Sequence, residues 1–336
     1  MPDSSPHALM SRNTESGLAR VCVIIPTFRR PQGLETAMRS ILTQKDAPPL
    51  SLIVCDNSPE ASARAQVEAF AAPFPVTYIH EPKTGVANAR NSAVSVCDAA
   101  FIAFLDDDED APVDWLNRLM AAQKQFNADV VFGPVTARIP AETRHNRTYY
   151  EHFFSRFGPA QSDILPHYYG CGNALLKTAA LTSITPFSTL QNEMGGEDDI
   201  LFTAMKREGR RMAWAADAPV FEDVPPARAT LAYTLKRGFA YGQGPSHSSA
   251  ANGRYLACAV WMAQGLVQAG LFATDFMGFL ALLGIASLIL FTIRHPRRAF
   301  VLDKAARGLG KTLWFPPFMM KFYGQILLKK DKKTKI

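Results

Sequence analysis

The chain has 336 residues, which is enough for one large domain or for a domain with an appendage. Its composition, with 48% hydrophobic and 20% charged residues, excludes a largely disordered, collagenous or coiled-coil chain. The five scattered cysteines argue against a disulfide framework or a zinc knuckle and fit a reducing compartment. The net charge is uneven, because residues 294–336 carry +10 and the rest of the chain carries −4. A basic tail on a mildly acidic body predicts an anionic surface, and not nucleic acid, as the partner.

The two ends of the chain differ in character. Residues 1–19 are polar and lack an apolar stretch, so they are predicted to be a disordered arm and not a secretory signal. Residues 255–273 have no charged residue, and residues 276–293 form 18 uncharged, mostly apolar positions, which is the length of a membrane span. The arginines that follow place that end in the cytoplasm. These runs predict a C-terminal apolar helical pair that is integral or re-entrant in the membrane, or alternatively a pair buried in a soluble domain. The aromatic, lysine-rich tail beyond them favours anionic membrane lipids as partners.

Short apolar runs alternate with helical patterns along the first part of the chain. Strands are predicted at 21–25, where Pro26 ends the run, and at 51–55, 76–79, 100–105 and 129–132, and helices at 33–43, 60–70, 86–96 and 112–125. This alternation predicts an α/β fold with a mostly parallel sheet flanked by helices. Ligands of such sheets bind at the carboxyl ends of the strands, so the residues after each strand are candidate ligand residues. Dinucleotide and P-loop glycine patterns are absent from the sequence.

Two acidic clusters stand out. Five acidic residues, 106–110, follow the fourth predicted strand. Their mutual repulsion is costly unless a cation or basic partners neutralise it, and carboxylate oxygens are the ligands that Mg²⁺ and Mn²⁺ prefer. The alternative is a solvated acidic turn before a helix N-terminus. A second cluster, Glu197 to Asp199, follows two glycines and offers a general base, although by itself it fits a helix cap better.

Six motifs occur in order along the chain: CVIIPTFRRP, VCDNS, GVANARN, FLDDDED, GCGNALLK and GGEDD. Together they resemble glycosyltransferase family 2, whose fold is the Rossmann-like GT-A fold. The segment that follows them is similar to the subgroup that builds bacterial exopolysaccharides such as succinoglycan. The resemblance implies a GT-A domain over residues 20–245, with a nucleotide-binding half at 20–110 and an acceptor half at 111–245. Residues 246–336 would form a membrane-associated helical region with a basic tail.

The resemblance also implies roles for particular residues. The nucleotide of a nucleotide-sugar donor, with UDP the first expectation, would be held by residues from four motifs: Pro26, Thr27, Phe28, Arg30, Asp56, Gly85, Arg90, Asn91, Asp106 and Asp107. The family's D-x-D element falls on Asp106 and Asp108, which would bind Mn²⁺ or Mg²⁺ at the donor diphosphate. Asp107 between them is expected to turn elsewhere.

The family's Glu-Asp element falls on Glu197 and Asp198. The Asp198 carboxylate would take the proton of the acceptor hydroxyl and so permit inversion in a single displacement. Asp199 is the alternative base, because many relatives have a further aspartate two positions after the base and this chain has Ile200 there.

Several further residues each have two possible roles. Gly172 and Asn173 match an acceptor-half element or form a turn before a strand at 174–177. Trp214 either lines the acceptor cleft or belongs to the core. Lys236 and Arg237 either reach the diphosphate or form a charged face.

The function implied by these residues is that of an inverting glycosyltransferase in bacterial surface polysaccharide synthesis. It would act on a lipid-linked or oligosaccharide acceptor at the cytoplasmic face of the bacterial inner membrane. The alternatives are a nucleotidyltransferase and a catalytically inactive, sugar-nucleotide-binding assembly subunit.

Overall fold

A computed structural model describes residues 20–189, 195–251, 253–270 and 298–321. These residues form two compact units: the first contains 20–136 and the described part of 155–223, and the second contains 137–154 and the described part of 224–321. The sequence-based boundary after residue 245 falls inside a single helix, Leu231–Ala251, whereas the units divide at Asp223. The predicted arm at 1–19 and the end of the basic tail lie outside the described residues.

The secondary structure follows the predicted alternation of strands and helices. In chain order the elements are β1 (Val21–Thr27), α1 (Pro31–Leu42), β2 (Leu50–Asp56), α2 (Arg64–Glu68), β3 (Val76–His80), α3 (Val86–Val96), β4 (Phe101–Phe104), β5 (Glu109–Asp110), α4 (Trp115–Phe126), β6 (Val130–Phe132), β7 (Val135–Arg138), α5 (Arg147–Phe154), β8 (Asp163–Ile164), β9 (Ala174–Lys177), α6 (Glu197–Arg207), β10 (Met212–Trp214), β11 (Val220–Asp223), α7 (Leu231–Ala251), α8 (helical residues 255–270) and α9 (Arg298–Thr312).

The central sheet has eight strands in the order β3-β2-β1-β4-β9-β6-β10-β8. The pairs β3-β2, β2-β1, β1-β4 and β6-β10 are parallel, whereas β9 runs antiparallel to both of its neighbours. The α/β fold with a mostly parallel sheet is therefore confirmed. Three short strands, in the order β5-β11-β7, form a second sheet.

The prediction that Pro26 ends the first strand is wrong. β1 continues to Thr27, and Pro26 and Thr27 are in register with Cys55 and Asp56 of β2. The register of β1 with β4 ends at Ile24, so Pro26 lies beyond the last pair on that side. A proline is tolerated there because its missing N–H removes no bond from that ladder.

Alternate residues of the central strands pack on two opposite faces of the sheet. Val23 and Ile25 of β1 are buried in a core with Leu34 of α1, and Ile24 is buried in a second core with Ala93 of α3. This period of two is expected for a strand that is covered by helices on both faces. All five cysteines are buried and free, in agreement with the predicted absence of a disulfide framework.

The carboxyl ends of β1, β2 and β4 lie at one edge of the sheet, which brings together the residues that follow them. Gly33 lets α1 pack on the turn after β4, because a Cβ there would overlap the backbone oxygen of Asp107. Gly85 precedes α3 with φ 140°, a conformation that favours glycine. These close approaches form the edge at which the candidate site lies.

The second unit contains α5, α7, α8 and α9. Tyr149 and Tyr150 of α5 are buried with Ala299 of α9. Glycines bring the helices close together, because a Cβ on Gly242 of α7 would overlap the backbone oxygen of Arg307 of α9. Such small-residue contacts let two helix backbones approach closely, and any added side-chain volume forces them apart.

The first of the two apolar runs, 255–273, lies in α8 as far as residue 270. Within the described ranges, no helix has both the length and the apolarity to cross a bilayer. On α8, Gln268 donates to the backbone oxygen of Lys304 and accepts from Lys311, both on α9. Other α8 side chains are exposed: Tyr255, Leu256, Val260, Leu266 and Val267. The second apolar run, 276–293, lies outside the described residues.

The glycine contact in the second unit gives a stability prediction. We expect Gly242→Ala to lower the free energy of unfolding by about 1–3 kcal/mol, because its Cβ must displace a backbone carbonyl. The matched control is Gly270→Ala, where a Cβ would meet no described atom within 4 Å. The control should stabilise by about 0.4–1 kcal/mol, since alanine restricts the unfolded chain. Thermal and denaturant unfolding of the purified variants measure both, and equal shifts would contradict the close packing.

Candidate active site

The acidic turn after β4, residues 106–109, is fixed by the residues that follow β1. Asp107 Oδ2 accepts hydrogen bonds from Thr27 Oγ1 at 2.8 Å and from the backbone N–H of Phe28 at 3.3 Å. Arg30 Nη1 donates to Asp107 Oδ1 at 2.8 Å and to Asp108 Oδ2 at 2.6 Å. The structure therefore joins the first and fourth motifs, while Pro26 lies within β1. Asp107 is buried, and its burial raises its pKa to about 6.

Glu109 is the most enclosed carboxylate of this turn. Its Oε2 accepts from the backbone N–H of Asp106 at 3.0 Å, and its own N–H donates to the Asp106 carbonyl at 3.1 Å. Burial, reinforced by the Asp106 carboxylate, holds the pKa of Glu109 well above its usual range. The sequence pattern had included Glu109 only as a member of the acidic run. Its position next to Asp106 makes it part of the candidate site.

The carboxylates of this turn fit a divalent cation. Asp106 Oδ2 and Glu109 Oε1 both lie 2.9 Å from the point that a Cβ on Gly172 would occupy, so a glycine keeps this side of the two carboxylates open. Among the residues that the structure describes, no three His, Cys, Asp or Glu groups already form a metal cage. Mg²⁺ commonly takes one or two carboxylates together with substrate phosphates. The oxygen donors present suit that kind of site.

Asp56, at the end of β2, is fully buried and bonded within the protein. Its Oδ1 accepts from the backbone N–H and the hydroxyl of Ser58 at 2.9 and 2.7 Å. Its Oδ2 accepts from the backbone N–H of Ala63 at 2.6 Å and from Tyr78 Oη at 3.2 Å. These four bonds use the acceptor positions of a carboxylate, so Asp56 orders the loop that follows β2.

Asn57 ties the end of β2 to the loop before α3. Its Nδ2 donates to the carbonyls of Glu81 and Lys83, both at 2.9 Å, and its Oδ1 accepts from the N–H of Gly85 at 2.6 Å. Gly85, predicted to lie beside the nucleotide, is thereby fixed at the start of α3. Sequence reasoning quoted Asn57 in a motif but gave it no role, because its partners are 24–28 residues away.

Arg90 of α3 is a buried bridge between the two acidic clusters. Its Nη1 donates to Glu197 Oε1 at 2.5 Å, and its Nη2 donates to Asp106 Oδ1 at 3.1 Å. The side chains of Arg90 and Glu197 are each 5% exposed. The rings of Phe104 and Phe187 flank the guanidinium, with centroids 5.9 and 5.7 Å from its central carbon. One side chain thus holds the start of α6 to the turn after β4.

Two asparagines of the predicted motifs hold distant backbone segments. Asn91 forms a pair of hydrogen bonds with the backbone of Phe187, at 2.8 and 2.9 Å. Asn173 is fully buried, donates to the Pro134 carbonyl at 2.7 Å and accepts from Trp115 Nε1 at 2.8 Å. Both side chains are therefore engaged in fixing the fold around the site.

The helix α6 begins at the second acidic cluster, after Gly196. Glu197 points inward to Arg90, and burial, with the Asp198 charge second, raises the pKa of Glu197 to about 7. Asp198 is partly exposed, and its Oδ2 accepts from the backbone N–H of Cys171 at 3.1 Å. Asp199 is exposed, and partial desolvation, with the Asp198 charge second, raises its pKa to about 6. The three neighbouring carboxylates thus occupy three different environments.

The loop Gly170-Cys171-Gly172 separates Asp198 from the acidic turn. A Cβ on Gly170 would lie 2.9 Å from Asp198 Oδ2, and a Cβ on Gly172 would lie 2.9 Å from Asp106 Oδ2. Any larger residue at either position would press on a carboxylate of the site. The motif comparison assigns a role to Gly172 and not to Gly170, although the sequence has both glycines on either side of Cys171.

The remaining candidates belong to the core of the first unit or to the second unit. Trp214 is buried, donates from Nε1 to the Pro159 carbonyl at 2.9 Å and packs on Tyr169, in agreement with the core interpretation. Lys236 and Arg237 lie on α7 of the second unit, and the Arg237 guanidinium lies 4.8 Å from the ring centroid of Tyr241.

Comparisons with known proteins agree with this architecture. The family described as Glycosyl transferase family 2 matches residues 22–184. Succinoglycan biosynthesis protein ExoM of Rhizobium meliloti (strain 1021) is 36% identical over 222 residues, covering 65% of this chain and 71% of that protein. Succinoglycan biosynthesis protein ExoW of the same organism is 29% identical over 127 residues, covering 35% of this chain and 39% of that protein.

One solved structure has the same fold. The mannosyltransferase PcManGT from Pyrobaculum calidifontis, solved with GDP-Man and Mn²⁺, superposes with a TM-score of 0.59 at 19% identity and covers 92% of each chain. At that identity the likeness concerns the fold alone. With the family match and the ExoM identity, it leads to one conclusion: this chain belongs to glycosyltransferase family 2 and has the α/β GT-A fold.

Proposed function

We propose that the chain is an inverting, metal-dependent glycosyltransferase in bacterial exopolysaccharide synthesis. It would move a sugar from a nucleoside diphosphate sugar, with UDP the first expectation, to a hydroxyl of a lipid-linked or oligosaccharide acceptor. The observation that carries this proposal is the Arg90 bridge, which bonds Asp106 and Glu197 at once. It joins Asp106, a candidate donor-side carboxylate, to Glu197, the residue that precedes the candidate base Asp198, and a single displacement requires such a fixed arrangement.

The donor nucleotide is proposed to lie over the carboxyl ends of β1 and β2 and the start of α3. This edge carries the residues that the motifs assign to the nucleotide, and Gly85 opens the backbone there. Asp56 and Asn57 would act by ordering the loops that enclose the base and ribose, since their polar atoms are engaged within the protein. Arg30 and Arg90 would contribute positive charge near the diphosphate, although each is paired with carboxylates.

Asp106 and Asp108 would hold the cation, Mn²⁺ or Mg²⁺, with Glu109 beside them. When bound, such an ion supplies positive charge for the diphosphate of the leaving nucleotide. Arg30 holds Asp108 in place through a 2.6 Å contact, and Arg90 holds Asp106. The protein thereby keeps these carboxylates oriented, which lowers the reorganisation that the reaction requires.

In the proposed reaction Asp198 takes the proton of the acceptor hydroxyl. The hydroxyl oxygen forms a bond to the anomeric carbon as the bond from that carbon to the diphosphate oxygen breaks. Attack occurs opposite the diphosphate, so the configuration inverts and a nucleoside diphosphate departs. Asp198 suits the role of base because it is partly exposed, whereas Glu197 is buried against Arg90.

The relatives and the second unit support the proposed acceptor and location. Two of the relatives bear succinoglycan biosynthesis in their names, and lipid-linked acceptors would place the enzyme at the cytoplasmic face of the bacterial inner membrane. The exposed α8 side chains Leu256, Val260 and Val267 share one helical face. That face and the cationic tail would bind anionic lipid together.

A donor screen tests the proposed function as a whole. We expect nucleoside diphosphate release from one member of a panel of UDP- and GDP-sugars, with Mn²⁺, and only when a lipid-linked saccharide extract is present. Pyrophosphate release would indicate a nucleotidyltransferase instead. Binding of a sugar nucleotide without turnover in any combination would indicate an inactive subunit.

The metal assignment predicts the behaviour of Asp108. Asp108→Asn keeps the side-chain shape but removes a carboxylate, so the Mn²⁺-dependent rise in melting temperature with UDP should disappear and transfer should be lost. Asp114→Asn is the matched control, because Asp114 is a partly exposed residue directly before α4 that pairs with Arg118. A thermal shift with UDP, with and without Mn²⁺, measures the effect. An Asp108→Asn protein that keeps the full Mn²⁺-dependent shift would remove Asp108 from the site.

The base assignment predicts a contrast between neighbours. Asp198→Asn should lower kcat by about 10²–10⁴, the usual contribution of a general base, and leave UDP affinity unchanged. Asp199→Asn is the control and should retain most of the activity, since its side chain is exposed. Steady-state kinetics and UDP titrations separate the two effects. The reverse pattern would move the base to Asp199.

The location predicts a behaviour in fractionation. The full chain should sediment with membranes and remain there in 1 M salt, because the Debye length of about 3 Å at that ionic strength screens basic contacts but not apolar ones. Serine at Leu256, Val260 and Val267 together should increase extraction, whereas Val96→Ser, at an exposed position on α3, should not. Complete release of the unaltered chain by 1 M salt would show that charge alone holds it.

A further inference from the structure

Arg156 lies in the first unit, behind the Gly170-Cys171-Gly172 loop, and no motif drew attention to it. Its backbone is fixed by an antiparallel bridge to Val135, with N···O distances of 2.8 and 3.3 Å. Its guanidinium carbon lies 5.9 Å from the ring centroid of Tyr169. Both the backbone and the guanidinium of Arg156 are therefore in contact with other residues of the first unit.

One guanidinium nitrogen of Arg156 contacts backbone carbonyl groups in and near the loop. Nη1 donates to the carbonyl of Gly172 and makes longer contacts to the carbonyls of Gly133 at 3.4 Å and Asn173 at 3.5 Å. One residue earlier, the N–H of Cys171 donates to Asp198 Oδ2 at 3.1 Å. Arg156 is thus joined to the Asp198 carboxylate through two consecutive residues, Gly172 and Cys171.

The second nitrogen lies close to Asp198 itself. A Cβ on Gly170 would lie 3.5 Å from Arg156 Nη2 and 2.9 Å from Asp198 Oδ2, so the two groups border the same small space. Burial lowers the pKa of Arg156, and the carboxylates of Glu109, Asp106 and Asp198 oppose that effect. An arginine remains charged under these conditions. Its positive charge therefore lies between the acidic turn and the candidate base.

We propose that Arg156 is a positioning residue for Asp198: by fixing the Gly170-Cys171-Gly172 loop it sets where the Asp198 carboxylate meets the acceptor hydroxyl. This inference rests on the proposed function, in which Asp198 is the base. Misplacement of a reacting group by about 1 Å can cost about 10²-fold in rate. Loss of Arg156 should consequently lower kcat much more than it weakens donor binding.

The first test compares three variants in donor turnover and in binding of UDP with Mn²⁺. Arg156→Met removes the charge and the hydrogen bonds and should lower kcat by about 10–10² with little change in the Kd of UDP. Arg156→Lys keeps a charge and a donor and should recover part of the loss. Arg118→Met is the matched control, because Arg118 also donates to a backbone carbonyl, that of Asp217, but its carboxylate partner is Asp114 and not a carboxylate of the site. It should retain wild-type kcat.

A double-mutant cycle separates positioning from an independent role. If Arg156 acts through Asp198, Arg156→Met should reduce the residual rate of Asp198→Asn only slightly, because groups that act as a unit are non-additive. Equal losses in both backgrounds would show that Arg156 acts on the substrate by itself and would overturn the inference. Full kcat in Arg156→Met would overturn it as well.

A second variant keeps the test decisive if Arg156→Met fails to fold. Gly170→Ala leaves Arg156 in place but puts a Cβ 2.9 Å from Asp198 Oδ2. It should give the same signature of reduced kcat, unchanged UDP affinity and no further loss with Asp198→Asn, and a wild-type kcat would count against the inference. If the wild-type chain turns over no donor at all, the proposed function fails and this inference fails with it. An active wild type with unaffected variants overturns the inference alone.

Discussion

The buried guanidinium of Arg90 is the constraint on which the rest of the site depends. A charge with 5% of its side chain exposed is costly unless its partners are well placed, and removal of one partner of such a pair typically costs about 3–5 kcal/mol. Its partners are Asp106 and Glu197, one in each acidic cluster. The geometry of the first cluster and the start of α6 are therefore set by one side chain. In the proposed function, this constraint would fix the cation-binding Asp106 relative to the helix that carries the proposed base, Asp198.

Contacts between side chains and the backbone fix the parts of the site that Arg90 does not touch. Asn57 and Asp56 form hydrogen bonds within the loops after β2 and before α3, so contacts inside the protein fix the proposed nucleotide edge. The Gly170-Cys171-Gly172 loop passes between the two acidic clusters, and each of its glycines lies against a carboxylate. Preorganisation of this kind is the main way in which an enzyme stabilises developing charge.

Most of the sheet could be predicted from the sequence, because apolar runs and helical spacing are local signals. The predicted strand at 174–177 appears as β9, and the acidic cluster at 197–199 forms the first turn of α6. The helix predicted at 60–70 is shorter in the structure and begins at Arg64. The N–H of Ser62 donates to the Ser58 hydroxyl and the N–H of Ala63 donates to Asp56, so the residues before Arg64 form a turn. The carboxylates of the site were predicted from their motifs. The roles of Arg156 and Arg90 depend on contacts between residues that are far apart in the sequence, and Arg90 and Glu197 are 107 positions apart. No local pattern reports such contacts.

The most direct test of the central claim is a joint measurement of unfolding and turnover for Arg90→Met and for Arg90→Met/Glu197→Gln. Arg90→Met leaves Glu197 buried without its partner and should lower the free energy of unfolding by about 3–5 kcal/mol. The second substitution removes that unpaired carboxylate, so it should restore part of the stability. Turnover should remain low in both, because Asp106 and α6 are no longer joined. Wild-type stability and kcat in Arg90→Met would contradict the account.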